Sequence, residues 1–232
     1  MYFGGLQKNS YIDFPGKLSC VLFVSGCNFD CPYCHNPGLV TGCSDCPHFI
    51  KENSVYDFLE KRRGFLDGVV ISGGEPTLQH DLTALCQKVK NMGYPVKLDT
   101  NGSKPHVIKE LIEKGLVDYL AMDIKTDPMN YSPFIKKDCE PETIFSSIRI
   151  IMNSGLPYEF KTTCIKPLID ETIVENICHL IQGADLYALQ QFRDKEVLHP
   201  EFFDGKECCF SNKDLLNFKL IASSWVKNCI IR

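Results

Sequence analysis

Ser19-Cys-Val-Leu-Phe-Val24, then Ser25-Gly26, then Cys27-Asn-Phe-Asp-Cys31-Pro-Tyr-Cys34: this stretch joins a short apolar run to three cysteines on one loop. The apolar run, bounded by turn residues, reads as a buried strand. Soft thiolate ligands suit iron–sulfur clusters. Three clustered thiolates hold three irons of a four-iron cluster and leave the fourth without a protein ligand. An open metal position does chemistry where a closed one mainly supports structure. The same three cysteines, with His35, also fit a structural Cys3His zinc site. Zinc usually draws two paired knuckles, and only Cys43-Ser-Asp-Cys46 offers a second pair.

Outward from this stretch, apolar runs alternate with helical patterns. The runs Ser19–Val24, Gly68–Ser72, Val96–Thr100, Tyr119–Asp123, Tyr158–Thr163 and Leu186–Gln190 predict strands. Ser54 with Asp57 resembles a capping box opening a helix that Gly64 closes. Leu82, Leu85, Cys86, Val89 and Met92 share a helical face. Ser103 caps a helix carrying Val107, Ile108, Leu111 and Ile112. Pro141 suits a first helical turn ahead of Ile144, Phe145, Ile148 and Met152. Asp170 caps the next helix, and Ser211 opens a last amphipathic one with Leu215, Phe218 and Trp225. Asp194 to Asn212 reads as a loop. Six strand-then-helix units with right-handed crossovers wind into a parallel sheet with helices outside. Eight would close a barrel, so six predict an α/β fold of the open, partial (βα)6 type with a C-terminal amphipathic helix. A flat, doubly wound sheet is the alternative. No linker or repeat interrupts the chain, so residues 1–232 read as one domain.

Composition narrows the setting. The chain has 232 residues, 44 % of them hydrophobic, and a formal net charge of −4. No basic run stands out, which argues against nucleic acid. No signal pattern or membrane-length apolar stretch appears, so the chain reads as cytoplasmic, with no membrane partner. Thirteen cysteines, an odd number without a secretory signal, do not suggest a disulfide framework. Cys20, Cys86, Cys164, Cys178 and Cys229 sit in apolar patterns and read as small buried hydrophobes.

In parallel α/β folds, reactive groups gather at the carboxyl ends of strands. The unusual segments fall there. The cysteine loop follows the first strand and Gly73-Gly74-Glu75-Pro76 the second. Asp99-Thr100-Asn101-Gly102 ends the third, Asp123-Ile124-Lys125 the fourth, and Gln190-Gln191-Phe192 the sixth. Gly73-Gly74 is either an ordinary turn or a place where a ligand approaches the backbone. Asn101-Gly102 alone is a common turn. Asp123 and Lys125, two apart on a strand, also fit a surface ion pair. Asp99 and Asp123 at adjacent strand ends call for a cation or charged ligand between them.

Together these segments resemble the radical S-adenosylmethionine superfamily, marked by Cys-x3-Cys-x2-Cys with an aromatic, here Tyr33, before the last cysteine. Asp13-Phe-Pro-Gly16, Gly26-Cys-Asn-Phe, Cys31-Pro-Tyr-Cys-His-Asn-Pro37, Leu98-Asp-Thr-Asn-Gly-Ser103 and Ala121-Met-Asp-Ile-Lys125 narrow this to the glycyl-radical-enzyme activases. Within these the text is most similar to the anaerobic ribonucleoside-triphosphate reductase activating proteins. The resemblance implies that Cys27, Cys31 and Cys34 hold a [4Fe-4S] cluster whose open iron is chelated by S-adenosylmethionine. It sets the backbone at Tyr33 and His35 against adenine, and Gly73, Gly74 and Glu75 at the methionyl amino group. Asp123 and Lys125 complete the pocket, and Asp99 and Asp123 share a monovalent cation.

The implied activity is reductive cleavage of S-adenosylmethionine and removal of a hydrogen from a partner glycine. The radical forms on the cofactor, so no side chain is catalytic. A one-electron donor such as a flavodoxin or ferredoxin is implied. Two departures stand out. Phe192 occupies a position where some activases carry a histidine. Cys43 and Cys46 lie in too short a loop for the inserted ferredoxin-like domain of some relatives, and either share a metal with Cys208 and Cys209 or are free thiols. Two other readings compete: a radical enzyme acting on a small molecule, and a non-enzymatic iron–sulfur or zinc protein.

Overall fold

The computed structural model describes residues 1–40, 49–131, 134, 139–166, 168–193, 196–203, 205 and 207–232. Cys43 and Cys46 lie outside the described residues. Nine strands lie among the described residues: β1 (Tyr2–Ser10), β2 (Ser19–Val24), β3 (Ile50–Lys51), β4 (Gly68–Gly73), β5 (Val96–Thr100), β6 (Tyr119–Asp123), β7 (Tyr158–Cys164), β8 (Tyr187–Gln191) and β9 (Cys229–Ile231). They form one sheet in the order β3-β1-β2-β4-β5-β6-β7-β8-β9. The pairs β2–β4, β4–β5, β7–β8 and β8–β9 are parallel. Strand order never reverses among β2, β4, β5, β6, β7 and β8. A doubly wound sheet needs such a reversal; an α/β sheet wound one way, as in a partial barrel, does not. The expected fold class holds.

The six expected strands are present with ends shifted by at most one residue. Parallel strands are buried on both faces and read as unbroken apolar runs, as in β2, where five of six residues are buried. Three strands went unread. β1 contains Gly4 and Gly5, which weaken a strand pattern, and Gln7 to Asn9 are exposed. Gly4 is required there, because a Cβ would stand 2.1 Å from Leu39 Cδ2. β1 runs antiparallel to β2 and accepts β3 on its other edge. β3 and β9 are only two and three residues long.

Seven helices lie among the described residues: α1 (Pro37–Val40), α2 (Glu52–Lys61), α3 (Leu82–Asn91), α4 (Pro105–Glu113), α5 (Pro141–Met152), α6 (Glu171–Leu180) and α7 (Asn212–Ser223). Asp170 caps α6 through Ile173 N–H at 2.8 Å, and Ser211 with Asp214 forms a capping box on α7. Pro141 opens α5 as expected. The capping box expected at Ser54 does not form. α2 starts three residues earlier, straight out of β3, and its N-cap Lys51 makes no side-chain cap. The Met1 ammonium pairs with Glu52 in that first turn at 2.7 Å, so sheet pairing and this ion pair set the helix start. Trp225 falls beyond α7 and lies against the His179 ring at 3.9 Å between centroids. The predicted loop from Asp194 holds a short turn of 3-10 helix at Pro200–Phe202.

The chain divides into two compact units, residues 1–28, 36–100 and 106–120, and residues 29–35, 101–105 and 121–232. Each draws on several separate segments, so no linker marks the division in sequence. In the first unit Phe14, Val21, Val70 and Tyr119 form a buried cluster with Phe23 against it. Cys20, Cys86, Cys164, Cys178 and Cys229 are buried. Burial pushes the first four thiols up to about 12, which leaves them as inert hydrophobes.

Candidate functional site

In the first unit the ends of β2 and β4 meet backbone to backbone. Gly74 N–H donates to Val24 O at 2.9 Å and Glu75 N–H to Gly26 O at 2.8 Å. Gly73 has φ +117°, a region that side chains avoid. A Cβ on it would stand 2.4 Å from Val24 N, and one on Gly74 would stand 2.1 Å from Gly26 O. The two glycines therefore let the chain's own backbone approach itself, and that contact fixes Gly26 immediately ahead of Cys27. Gly26 N–H also donates to Leu39 O at 2.6 Å, and Gln79 Nε2 to Ser25 O at 2.8 Å. Ser25 Oγ is buried without a hydrogen-bond partner among the described residues.

Glu75 is 1 % exposed. Its Oε1 accepts from Thr77 N–H at 3.0 Å, Thr77 Oγ1 at 2.6 Å and Thr100 Oγ1 at 2.7 Å. The carboxylate caps the turn Pro76–Leu78 and ties it to the end of β5. On β5, Lys97 Nζ lies 2.6 Å from Asp99 Oδ1, with side chains 2 % and 14 % exposed. Lys97 also sits over the Tyr119 ring, 5.7 Å from its centroid. The sequence reading named Asp99 and passed over Lys97.

In the second unit, residues 29–35 are anchored on two sides. Asp30 N–H donates to Phe134 O at 2.7 Å, and Phe29 meets Tyr131 edge-on at 5.8 Å. Leu198 N–H donates to Cys34 O and His199 N–H to Pro32 O, both at 3.0 Å. His199 Nε2 lies 3.2 Å from Asp30 Oδ2. His35 Nε2 lies 2.9 Å from Arg193 O, and its ring stacks on Phe192 at 5.2 Å with planes 10° apart. Phe192 thus supports the imidazole of the cysteine loop. Cys31 and Tyr33 are buried, whereas Cys27, in the first unit, and Cys34 are partly exposed.

Asp123, at the end of β6, receives two ammonium groups. Lys125 Nζ is 3.0 Å from Oδ2 and Lys161 Nζ is 3.5 Å from Oδ1. Burial works to raise the Asp123 pKa, and the two ammonium groups together outweigh it, holding the carboxyl down to about 2. Burial opposes the charge on Lys125, but Asp123, Tyr33 and Cys31 hold its pKa well above the usual lysine range. Lys125 N–H donates to Tyr131 Oη at 2.6 Å. Burial, with the Cys31 sulfur nearby, pushes the Tyr33 phenol up, so it stays neutral. Its hydroxyl has no hydrogen-bond partner among the described residues. A buried orphan hydroxyl is costly, and here it lies within electrostatic reach of Lys125 and Asp123.

Lys161 was missed by the sequence reading, although its signal is visible: a cation in an apolar strand that must be buried on both faces. Cys208 Sγ lies 3.8 Å from Cys209 Sγ, which in turn lies 3.7 Å from Phe192 O. Among the described residues no three His, Cys, Asp or Glu side chains are arranged to hold a single metal ion. No helix among them is long and apolar enough to cross a membrane.

The sequence family described as the Radical SAM superfamily matches residues 21–179. The chain is similar to the "Putative glycyl-radical enzyme activating enzyme" of Methanocaldococcus jannaschii, at 37 % identity over 233 residues covering 98 % of this chain and 94 % of that protein. It is also similar to 7-carboxy-7-deazaguanine synthase of Haemophilus influenzae, at 32 % identity over 144 residues covering 61 % of this chain and 58 % of that protein. The structure of Streptococcus suis SuiB bound to S-adenosylmethionine matches with a TM-score of 0.64 and 13 % identity over 91 % of this chain and 51 % of that one. At that identity the likeness concerns the fold alone.

Proposed function

The chain belongs to the radical SAM superfamily, and on that premise we propose that it activates a glycyl radical enzyme, specifically an anaerobic ribonucleoside-triphosphate reductase. Members of the superfamily are enzymes that carry a [4Fe-4S] cluster and S-adenosylmethionine. When bound, these supply one-electron reductive cleavage of S-adenosylmethionine and, through it, removal of a hydrogen from a partner glycine. The residues fit such groups. The loop offers an all-sulfur donor set on a backbone fixed at Gly26, Asp30 and Cys34. Each thiolate of Cys27, Cys31 and Cys34 would take a different iron, so the three need not converge on one point.

The rest of the chain binds and orients. With the N–H groups of Gly74 and Glu75 engaged by Val24 and Gly26, and the Glu75 carbonyl accepting from Leu78 N–H at 3.2 Å, the carbonyl oxygens of Gly73 and Gly74 would be the acceptors for the methionyl amino group. Backbone at Tyr33 and His35 would lie against adenine, with the His35 ring held by Phe192. The ammonium of Lys125 and the hydroxyl of Tyr33 would present donors to the polar groups of the cofactor, its carboxylate above all. Burial of Phe29, Cys31 and Tyr33 excludes water from this side of the loop.

The observation that carries the activase reading is similarity to one such protein along 98 % of this chain and 94 % of the relative. The similarity to 7-carboxy-7-deazaguanine synthase covers 61 % of this chain and favours a small-molecule reading instead. An anaerobic assay separates them. Reduced, cluster-loaded protein should release 5′-deoxyadenosine, and Cys31→Ser should abolish the release. Added reductase should then show a glycyl doublet by electron paramagnetic resonance. Release retained by Cys31→Ser rejects the cluster assignment, and absence of the doublet rejects the partner.

A further inference from the structure

The resemblance that sets Asp99 and Asp123 around a monovalent cation meets a donor set that does not fit one. An alkali cation needs a cage of oxygen ligands with spare negative charge. Each of these carboxylates already holds an ammonium inside its own unit. Asp99 Oδ1 is 2.6 Å from Lys97 Nζ. Asp123 has Lys125 on one oxygen at 3.0 Å and Lys161 on the other at 3.5 Å. A further cation on Asp123 would meet two like charges within a few ångströms.

We propose that Lys161, on Asp123, supplies as a tethered ammonium group the positive charge that a monovalent cation supplies in related activases, so that this chain binds S-adenosylmethionine without potassium or sodium. Lysine suits the role. Its ammonium is a compact point charge with three rotatable donors. Lys161 lies on β7 at 8 % exposure, on the strand that pairs with β6 in the sheet order. Asp123, with an ammonium on each carboxylate oxygen, is the common anion of both of its lysines. The side chains thus do with fixed charges what an exchangeable ion does elsewhere, and the resulting site has no free-ion occupancy to be lost. Lys161 is on this account a positioning residue that holds Asp123 and the carboxylate end of the cofactor.

The inference rests on the reading of this pocket as the S-adenosylmethionine site, and the test separates the two. Equilibrium dialysis measures S-adenosylmethionine binding to the anaerobic, cluster-loaded protein in potassium chloride, sodium chloride and choline chloride of equal ionic strength. The wild type should bind equally in all three, within about twofold. Lys161→Met should bind at least about tenfold more weakly in choline, a loss that opening one side of a buried charge pair readily accounts for. Potassium should recover much of that loss in Lys161→Met, and Lys161→Arg should remain indifferent to the salt. A wild type that gains tenfold or more from potassium or sodium overturns the inference while leaving the pocket intact. Equal binding by Lys161→Met and wild type in choline overturns it as well. No binding by the wild type in any salt overturns the pocket reading, and the inference with it. The wild-type arm decides the matter even where Lys161→Met fails to fold.

Discussion

Gly74→Ala puts a methyl group where the chain has no room. The added Cβ would stand 2.1 Å from Gly26 O and 2.7 Å from Gly26 C, both backbone atoms. Non-bonded heavy atoms settle near 3.5 Å, so relief requires a movement of roughly 1 Å between the ends of β2 and β4. That movement stretches Gly74 N–H to Val24 O and Glu75 N–H to Gly26 O, now 2.9 and 2.8 Å. Each lost bond costs about 1 kcal/mol, or more where a buried group is left unpaired, and overpacking adds about 1–3 kcal/mol. The expected destabilisation is about 3–5 kcal/mol, a large share of a typical domain's stability. In urea this moves the unfolding midpoint by about 1 M or more for an m-value near 3 kcal/mol/M. Iron retained per chain should fall alongside, because the displaced residue is Gly26, next to Cys27. Gly38→Ala is the matched control, since a Cβ there meets nothing within 4 Å. A Gly74→Ala protein with an unshifted midpoint and full iron loading would refute the reasoning.

Further consequences follow from the same contacts. Lys125→Met removes one of the two ammonium groups on Asp123. The depressed Asp123 pKa contributes stability above its unfolded value of 3.8 that is lost as pH falls toward about 2. Losing Lys125 raises the folded pKa, so this contribution shrinks and the acid-unfolding midpoint should move to higher pH. An acid titration by circular dichroism with no shift would count against the pairing. Thr100→Val takes the Thr100 hydroxyl donor from the buried Glu75 carboxylate and should cost about 1–3 kcal/mol, read as a lowered thermal midpoint. Phe192→Ala should cost about 3–5 kcal/mol for the lost buried ring. It should also loosen the cysteine loop, read as faster hydrogen exchange across residues 29–35. In metal-free native protein, iodoacetamide should modify Cys27, Cys34 and Cys209 well before Cys20, Cys86, Cys164 or Cys178, by peptide mass spectrometry. Early labelling of the second group would contradict their burial.

The six parallel strands were legible because burial on both faces makes each an unbroken apolar run. β1 was not, because its glycines and exposed edge erase the alternation, and what makes it a strand is pairing with β2. The cysteine spacing and the text around it located the loop. They did not reveal what holds it: contacts to Phe134, Leu198 and His199 lie more than a hundred residues away in sequence. Gly73 and Gly74 read either as an ordinary turn or as a place for a ligand to approach, and the space that side chains would take there is filled by backbone of β2 and Gly26. Glu75 looked like a cofactor contact, and its side chain braces Thr77 and Thr100, a partnership that depends on where β5 ends. Lys97 and Lys161 were in plain view as cations inside apolar strands. Their role needed the distance to a carboxylate, which no spacing along one strand supplies.

The central claim is transfer of a hydrogen from a glycine of a partner protein, and isotope transfer tests it most directly. The reductase is prepared with glycine deuterated at Cα and mixed anaerobically with reduced, cluster-loaded protein and S-adenosylmethionine. The account predicts one deuterium in each 5′-deoxyadenosine formed, matched by a glycyl radical signal on the reductase. Release of 5′-deoxyadenosine without deuterium, and without that signal, would contradict it.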